Sequence, residues 1–427
     1  MNGDFTRFPI ARVADSLYPL QQQGRVHLDA DWNELAASLT DSVRLSIDAL
    51  LGGSAAVGTG FKGSGQADES LSFESGTYFV GGYRVVAPSA VQLGDQPFQP
   101  AADVEFPPKE GDGDNTLFYL DVWVRHVTAR SRPELAEVAL RGPDTTTRGI
   151  LTWQVRAIRI TEATANTVRS GWLDIEDRIR PRTRATMRAW LELAETLEPC
   201  LDDIAGGYTG PNNQLYRFEV AKAPPPLDAA ELVPDARVVL WSRDNASFES
   251  RIRSRDGTSV ELISDPTTPA LVPGGIVQLV DDFAELGGLS NPPARITSAD
   301  PDEDRVALDA PPMTLDVVAA GDTHARLRHW DGMLELTEEM QEVEHGLRIE
   351  LKDAEKALVG DYWVVPARTN GALLWPDDRR WPMVWKNDWP DDFRPPHGVD
   401  HMFAPLALVV AGTALDCRWT VGPLRKP

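Results

Sequence analysis

A chain of 427 residues is long enough for about three domains of ordinary size, each able to bury its own core, which excludes short peptides and disulfide-stapled scaffolds. Asp and Glu number 65 against 42 Lys and Arg, and the resulting net charge of −23 repels phosphate backbones and anionic bilayers, so neither nucleic acid nor direct membrane insertion is expected. With 42% apolar and 25% charged residues and 33 each of Gly and Pro, the chain reads as globular and turn-rich.

In chain order, the amino end Met-Asn-Gly-Asp-Phe-Thr-Arg lacks the basic stretch and apolar run of a secretory signal, so synthesis in the cytoplasm without a signal peptide is expected. Residues 31–51 give the clearest helix: Asp31 and Glu34 form a capping-box pattern, and Leu35, Leu39, Val43, Ile47 and Leu50 fall on one face before Gly52 and Gly53 stop it. That stripe fits a helix packed on its own domain better than an oligomer seam, being under three heptads long. Residues 77–80 and 83–86 read as strands joined by Gly81-Gly82, a pair suited to a type I′ turn. Residues 117–127 form a strong strand with Phe118, Leu120, Val122 and Val124 on one side; Tyr119, Asp121, Trp123 and Arg125 make the other polar or amphipathic. Another extended run covers 149–160, and the Leu-, Ala- and Glu-rich residues 186–197 read as a helix ended by Pro199.

Beyond Gly206-Gly207 come short β runs at 215–220, 237–241, 259–263, 275–280 and 305–308, whose length and spacing suggest a small barrel or sandwich. Strands are again expected at 346–351, 362–367 and 406–410. The expected fold class is α+β and β-dominated: an N-terminal helix with hairpins and sheets, and a small β-barrel or sandwich domain in the middle. The corresponding domains are 1–207, closed by a helix; 208–322; and a β-rich 323–427 with a Trp-rich loop, able to pack back on the first.

Chemistry-bearing patterns are sparse. Cys200 and Cys417 lie far apart with no partner motif. Asp300, Asp302 and Asp304 imitate the opening of a calcium loop, but Arg305 stands where Gly belongs and Pro311 where the bidentate Glu belongs, leaving a solvated acidic turn. His397 and His401 have the spacing of helical zinc ligands, but Pro395, Pro396 and Gly398 oppose a helix. The acidic doublets Asp202-Asp203, Asp281-Asp282, Asp377-Asp378 and Asp391-Asp392 do not supply a glycosidase pair, because adjacent strand residues face opposite ways. Nucleophile elbows, phosphate-binding loops and dinucleotide fingerprints are absent from the sequence. No enzyme, metal or cofactor is therefore expected.

Two features point to contact surfaces. Arg243, Asp244 and Asn245 follow Trp241 at a strand end, where Asp and Asn favour a turn and Arg243 suits a carboxylate, either as a lock on the strand end or as a contact with a neighbouring subunit. Of 13 tryptophans, Trp363, Trp375, Trp381, Trp385 and Trp389 crowd into residues 363–389. An indole there serves as a core plug, a protein interface or a sugar platform. Trp381, Trp385 and Trp389, set among charges, are with Arg243 the candidate interface residues.

Five blocks carry a resemblance: Gln22-Gln23-Gly24-Arg25-Val26-His27-Leu28-Asp29-Ala30-Asp31-Trp32-Asn33-Glu34; Tyr119-Leu120-Asp121-Val122-Trp123; Gly142-Pro143-Asp144-Thr145; Leu240-Trp241-Ser242-Arg243-Asp244-Asn245; and Gly360-Asp361-Tyr362-Trp363 with Pro366-Ala367-Arg368. With Pro396-His397-Gly398-Val399-Asp400-His401 they resemble, over essentially the whole chain, an uncharacterised bacterial family often encoded beside phage-tail-like contractile injection systems. The resemblance supplies no catalytic residues. It implies a structural part of a contractile particle, at its baseplate or as an outer decoration, whose partners are the other subunits and further copies of itself, and which leaves the cell with the particle. A carbohydrate-binding module or glycoside hydrolase carried by the particle is the alternative. Ala246 departs from the family's tendency to place glycine after Arg-Asp-Asn, at a turn where glycine would ease a left-handed backbone.

Overall fold

The structure is a computed structural model that describes residues 2–6, 8, 17–64, 71–96, 111–140, 145–181, 184–191, 208–224, 236–263, 270–287, 290–310, 324–368, 372–373, 375 and 392–422. The fold is β-dominated, with an N-terminal helix and a six-stranded barrel among several sheets. Two compact units account for the chain: residues 1–37, 126–148 and 183–399 make one, and residues 38–125, 149–182 and 400–427 the other. The long helix Asp29–Leu51 contributes to both, and it starts two residues before the expected cap. Asp29 accepts the Thr6 amide at 2.9 Å, which holds its carboxyl below the usual range against the opposing pull of burial.

The second of these units is built around two long strands. Asn115–Val127 lies between His401–Val410 and Arg148–Ile160, with Thr413–Asp416 on the outer edge. Phe118, Leu120 and Val122 face a core shared with Phe61, Phe73, Tyr78, Trp153 and Leu406. The opposite face is also covered. Leu117 and Tyr119 pack with Val168, Trp172 and Ile175 from the helices Ala165–Ser170 and Trp172–Ile179, and Asp121 and Arg125 are buried as well. The expected polar side is thus an interior one, where Asp121 takes His401 Nδ1 at 2.6 Å and Arg156 Nε at 2.9 Å. The register slips between Pro405 and Ala407, the kind of irregularity that admits proline within a strand, and Tyr78 donates to the Pro405 carbonyl at 3.1 Å.

In the same unit the hairpin Gly76–Val80 and Tyr83–Ala87 turns at Gly81 and Gly82, with φ of 53° and 78°, the left-handed pair of a type I′ turn. Gly82 has a second reason to lack a side chain. A Cβ there would stand 2.0 Å from the Arg44 carbonyl oxygen.

Among the described residues, the other unit contains two open sheets and a closed barrel. Gln214–Lys222 is the centre of a five-stranded sheet, paired with Arg237–Ser242 on one side and Tyr362–Arg368 on the other. Against it, Leu347–Lys352 pairs with Thr186–Leu191, and the two sheets enclose Tyr216, Phe218, Trp241, Trp363, Met187, Leu347 and Ile349. The helix expected over 186–197 is therefore overturned in its first part: Thr186–Leu191 is a strand, and residues 192–197 lie outside the described set. Met187 and Ala189 alternate into that core, and pairing with a ready partner strand outweighs the helix propensity of Leu, Ala and Glu.

The barrel closes in the order Glu249–Asp256, Ser259–Leu262, Arg305–Leu308, Pro293–Asp300, Ile276–Val280, Arg326–Trp330. Val260, Val277, Leu279, Ile296, Val306 and Leu327 fill its interior. The acidic run is the turn between two of its strands, where Asp300 Oδ1 accepts the Asp302 amide at 3.0 Å.

Candidate functional site

Strand Arg237–Ser242 ends in a turn that directs the side chains of Arg243 and Asn245 to different partners. Arg243 donates from Nη2 to Glu344 at 2.9 Å, its amide donates to Asp331 Oδ2 at 2.8 Å, and its Nε lies 3.4 Å from Asp331 Oδ1. Glu344 also accepts the Tyr216 hydroxyl at 2.8 Å, and Tyr208 stands 3.2 Å from Tyr216. Burial pushes both phenols above their ordinary range, so they remain protonated donors. Asp244 is raised too, first by burial and then by the charge of Asp331.

Asn245 follows with a φ of 52° and no exposure. Its amide donates to the Gly3 carbonyl at 3.0 Å, and its oxygen accepts from Arg217 at 3.4 Å. Arg217 is itself buried, bonded to Glu219 at 2.7 Å, with its guanidinium carbon 3.6 Å from the centre of the Tyr362 ring. Ala246 adopts a φ of 51°, so the left-handed turn persists without the glycine, inside an apolar cluster with Leu240, Ile276 and Trp330.

Three residues further on, Glu249 opens the barrel and collects Arg326 at 2.7 Å and Arg328 at 2.9 Å, all three buried. Glu285 takes the far side of Arg326 at 2.6 Å. Burial opposes the Arg326 charge, but the two carboxylates outweigh that effect and raise its pKa. Asn2 donates to Glu249 at 3.3 Å, while Phe5 and Phe8 pack on Leu215, Tyr362 and Val364, so the amino-terminal segment is stitched to both sheet and barrel. Three histidines sit in this unit with pKa values held down mainly by burial: His126 and His397 to about 3, and His329 to about 4.

Arg243 is where the sequence reading puts it, at a strand end, and it meets two carboxylates while part of its side chain stays exposed. Trp381, Trp385 and Trp389 lie outside the described residues. His397 Nδ1 accepts the Val364 amide at 2.9 Å, and His401 is held by Asp121. Asp281 caps the short helix Asp282–Gly287 by accepting the Ala284 amide at 2.7 Å, and Asp282 binds His324 at 2.9 Å. Sequence reasoning passed over Arg217, Glu219, Glu249, Arg326 and Arg328. The available signal was charge at i and i+2 in strand-like segments, Arg217 with Glu219 and Arg326 with Arg328, which puts each pair on one face.

Among the described residues, the fold and this site define a β-rich protein in which the buried groups Arg217, Glu219, Glu249, Arg326 and Arg328 are held in ion pairs. The chain belongs to a family of unknown function, DUF6519, which matches residues 1–190 and 178–401. No curated protein and no solved structure matches it.

Proposed function

We propose that this protein is a non-enzymatic structural component of a phage-tail-like contractile injection particle, seated at the baseplate or as an outer decoration, with the particle's other subunits and its own copies as partners. The observation that carries the structural half of this reading is the engagement of Arg243. The candidate residue is tied to Glu344 and Asp331, and separate buried bonds follow close by in sequence, Asn245 to Arg217 and Glu249 to Arg326 and Arg328. Such cross-links suit a rigid building block, whose modules must hold their shape under load. The particle half rests on the resemblance of the sequence blocks, an associational warrant.

Imaging decides it. Particles from a strain lacking this protein, reconstructed beside intact ones, are expected to lose density at the baseplate or outer surface, and identical reconstructions overturn the proposal. The Trp-rich window keeps a glycan-binding reading in view. Micromolar binding to a glycan panel, abolished by Trp381→Ala or Trp385→Ala in a monomeric protein, favours that reading instead.

A further inference from the structure

Residues 2–6 and 8 form neither helix nor strand, yet they are seated on the unit they belong to. Their anchors run through side chains. Asn2 donates to Glu249 Oε1 at 3.3 Å, the Gly3 carbonyl accepts from Asn245 at 3.0 Å, and the Thr6 amide donates to Asp29 at 2.9 Å. Phe5 stacks on Phe8 with ring centres 5.7 Å apart, and both pack on Leu215, Tyr362 and Val364. Gly3 is buried, and a Cβ there would stand 2.8 Å from the Phe5 ring, so its bare backbone is what lets that ring fold back. The segment is a strap, held by apolar burial and a few side chains, and among the described residues no strand ladder includes it.

The strap covers His126. The Phe5 ring meets the imidazole edge-on at 5.9 Å, and a Cβ on Gly3 would come within 3.5 Å of His126 Cε1. His126 Nε2 shares a hydrogen bond with Thr147 Oγ1 at 2.8 Å, while Nδ1 is buried and has no partner among the described residues. A proton added at Nδ1 under the seated strap puts a charged N–H against hydrocarbon with no acceptor. Once the strap lifts, the same proton meets water.

We infer that this segment is an acid-released strap: protonation of His126 favours a lifted state that bares Leu215, Tyr362 and Val364. Burial is the main cause that holds the seated imidazole down at about 3; the charge of the amino end, Arg328 and Arg217 press the same way, against Glu285. Below about pH 6.5 only the lifted state takes the proton, so its population relative to the seated state should rise about thirty-fold between pH 7.5 and 5.0. The anchors do not share that window. Burial raises the Asp29 carboxyl, but its bonds to Thr6 outweigh it and hold it below the usual range, and Glu249 is paired with Arg326 and Arg328. Asp244, raised by burial and then by Asp331, also feels Asp4 on the strap; that opposes release, but Asp4 is exposed and its field is screened. His397, packed on Tyr362 and Trp375, and His329, bonded to Ser250 at 2.9 Å, take no part in the release.

Hydrogen exchange of the intact chain, read by mass spectrometry at pH 7.5 and 5.0 and corrected for the chemical exchange rate, tests this. Protection of the peptide carrying residues 2–8 is expected to fall about thirty-fold. Peptides from the barrel strands Ile276–Val280 and Arg326–Trp330, which exchange only through larger openings, should stay protected at both pH values while the strap exchanges. His126→Phe keeps a ring against Phe5 but takes up no proton, so it should remove the response; His126→Gln serves the same end where the phenylalanine folds poorly. His397→Gln should leave the response in place. Strap protection that does not change with pH, that is lost together with the barrel, or that still falls in the His126 variants overturns the inference, as does its disappearance in His397→Gln. The particle location is read by imaging and stands or falls separately.

Discussion

Asn245 joins two parts of the structure that no local pattern could connect. Its left-handed backbone and its bonds to the Gly3 carbonyl and Arg217 explain why an amide follows Arg-Asp at this strand end. Asn245→Ala keeps the strained φ but strands a buried carbonyl and loosens Arg217, so urea unfolding should show a loss of about 2–3 kcal/mol. Arg243→Ala is a different case. Its side chain is 41% exposed and the pairs are partly solvated, so the isolated chain should lose less than about 1 kcal/mol. On the proposed particle role, a much larger drop in incorporation into particles than in stability would mark Arg243 as a subunit contact as well as a lock. The depressed histidines make stability depend on pH. Below about 6.5 an unfolded His takes up a proton, while His126, His397 and His329 stay neutral in the folded chain down to about 4 and then about 3. Stability therefore falls as pH drops from about 6.5 towards 4, each histidine contributing at most about 1.4 kcal/mol per pH unit. Thermal melts at pH 7.5, 6.5, 5.5 and 4.5 should show this, with a shallower slope in His397→Gln, whose amide oxygen can still accept the Val364 N–H.

At the level of elements, the sequence is most legible where local chemistry leaves no choice. The Gly81-Gly82 turn is an example, because both residues need positive φ. Gly82→Ala should cost well over 1 kcal/mol in thermal unfolding, since the added methyl meets backbone that cannot give way. Residues 186–191 show the opposite case. Their composition favours a helix, and only the edge of Leu347–Lys352, far along the chain, makes them a strand. The charged cluster at the barrel was hidden for the same reason: Glu249 meets Arg326 through the pairing that closes the barrel. Removing one partner of such a group is more costly than its distance from any site suggests. Glu249→Ala leaves two buried guanidiniums short of a carboxylate and should lower stability by about 3–5 kcal/mol, whereas Glu303→Ala, in the exposed acidic turn, should change it by less than about 0.5 kcal/mol.

At the level of the whole molecule, the β-dominated class and the existence of a small barrel could be read from strand length and spacing. The membership of the sheets could not, because it depends on pairings between distant segments. The apolar stripe of the helix was legible, but the expectation that it packs on its own domain is corrected by the exposure of Leu39, Val43 and Leu50, because a stripe alone does not say which way it faces. Among the described residues no helix is long and apolar enough to cross a membrane. One property of this layout bears on how the molecule is made. The strand His401–Val410, which supplies Ala404, Leu406 and Ala407 to the core, sits in the middle of a sheet whose other long strands were synthesised some 250 residues earlier, about 12 to 50 seconds at ordinary translation rates. Until that strand leaves the ribosome, Asn115–Val127 keeps an open edge, a template for unwanted pairing. Chains halted before residue 400 should be cut rapidly by protease in a pulse experiment and full-length chains should resist, so that prematurely terminated products are discarded before they can compete for a place in any assembly.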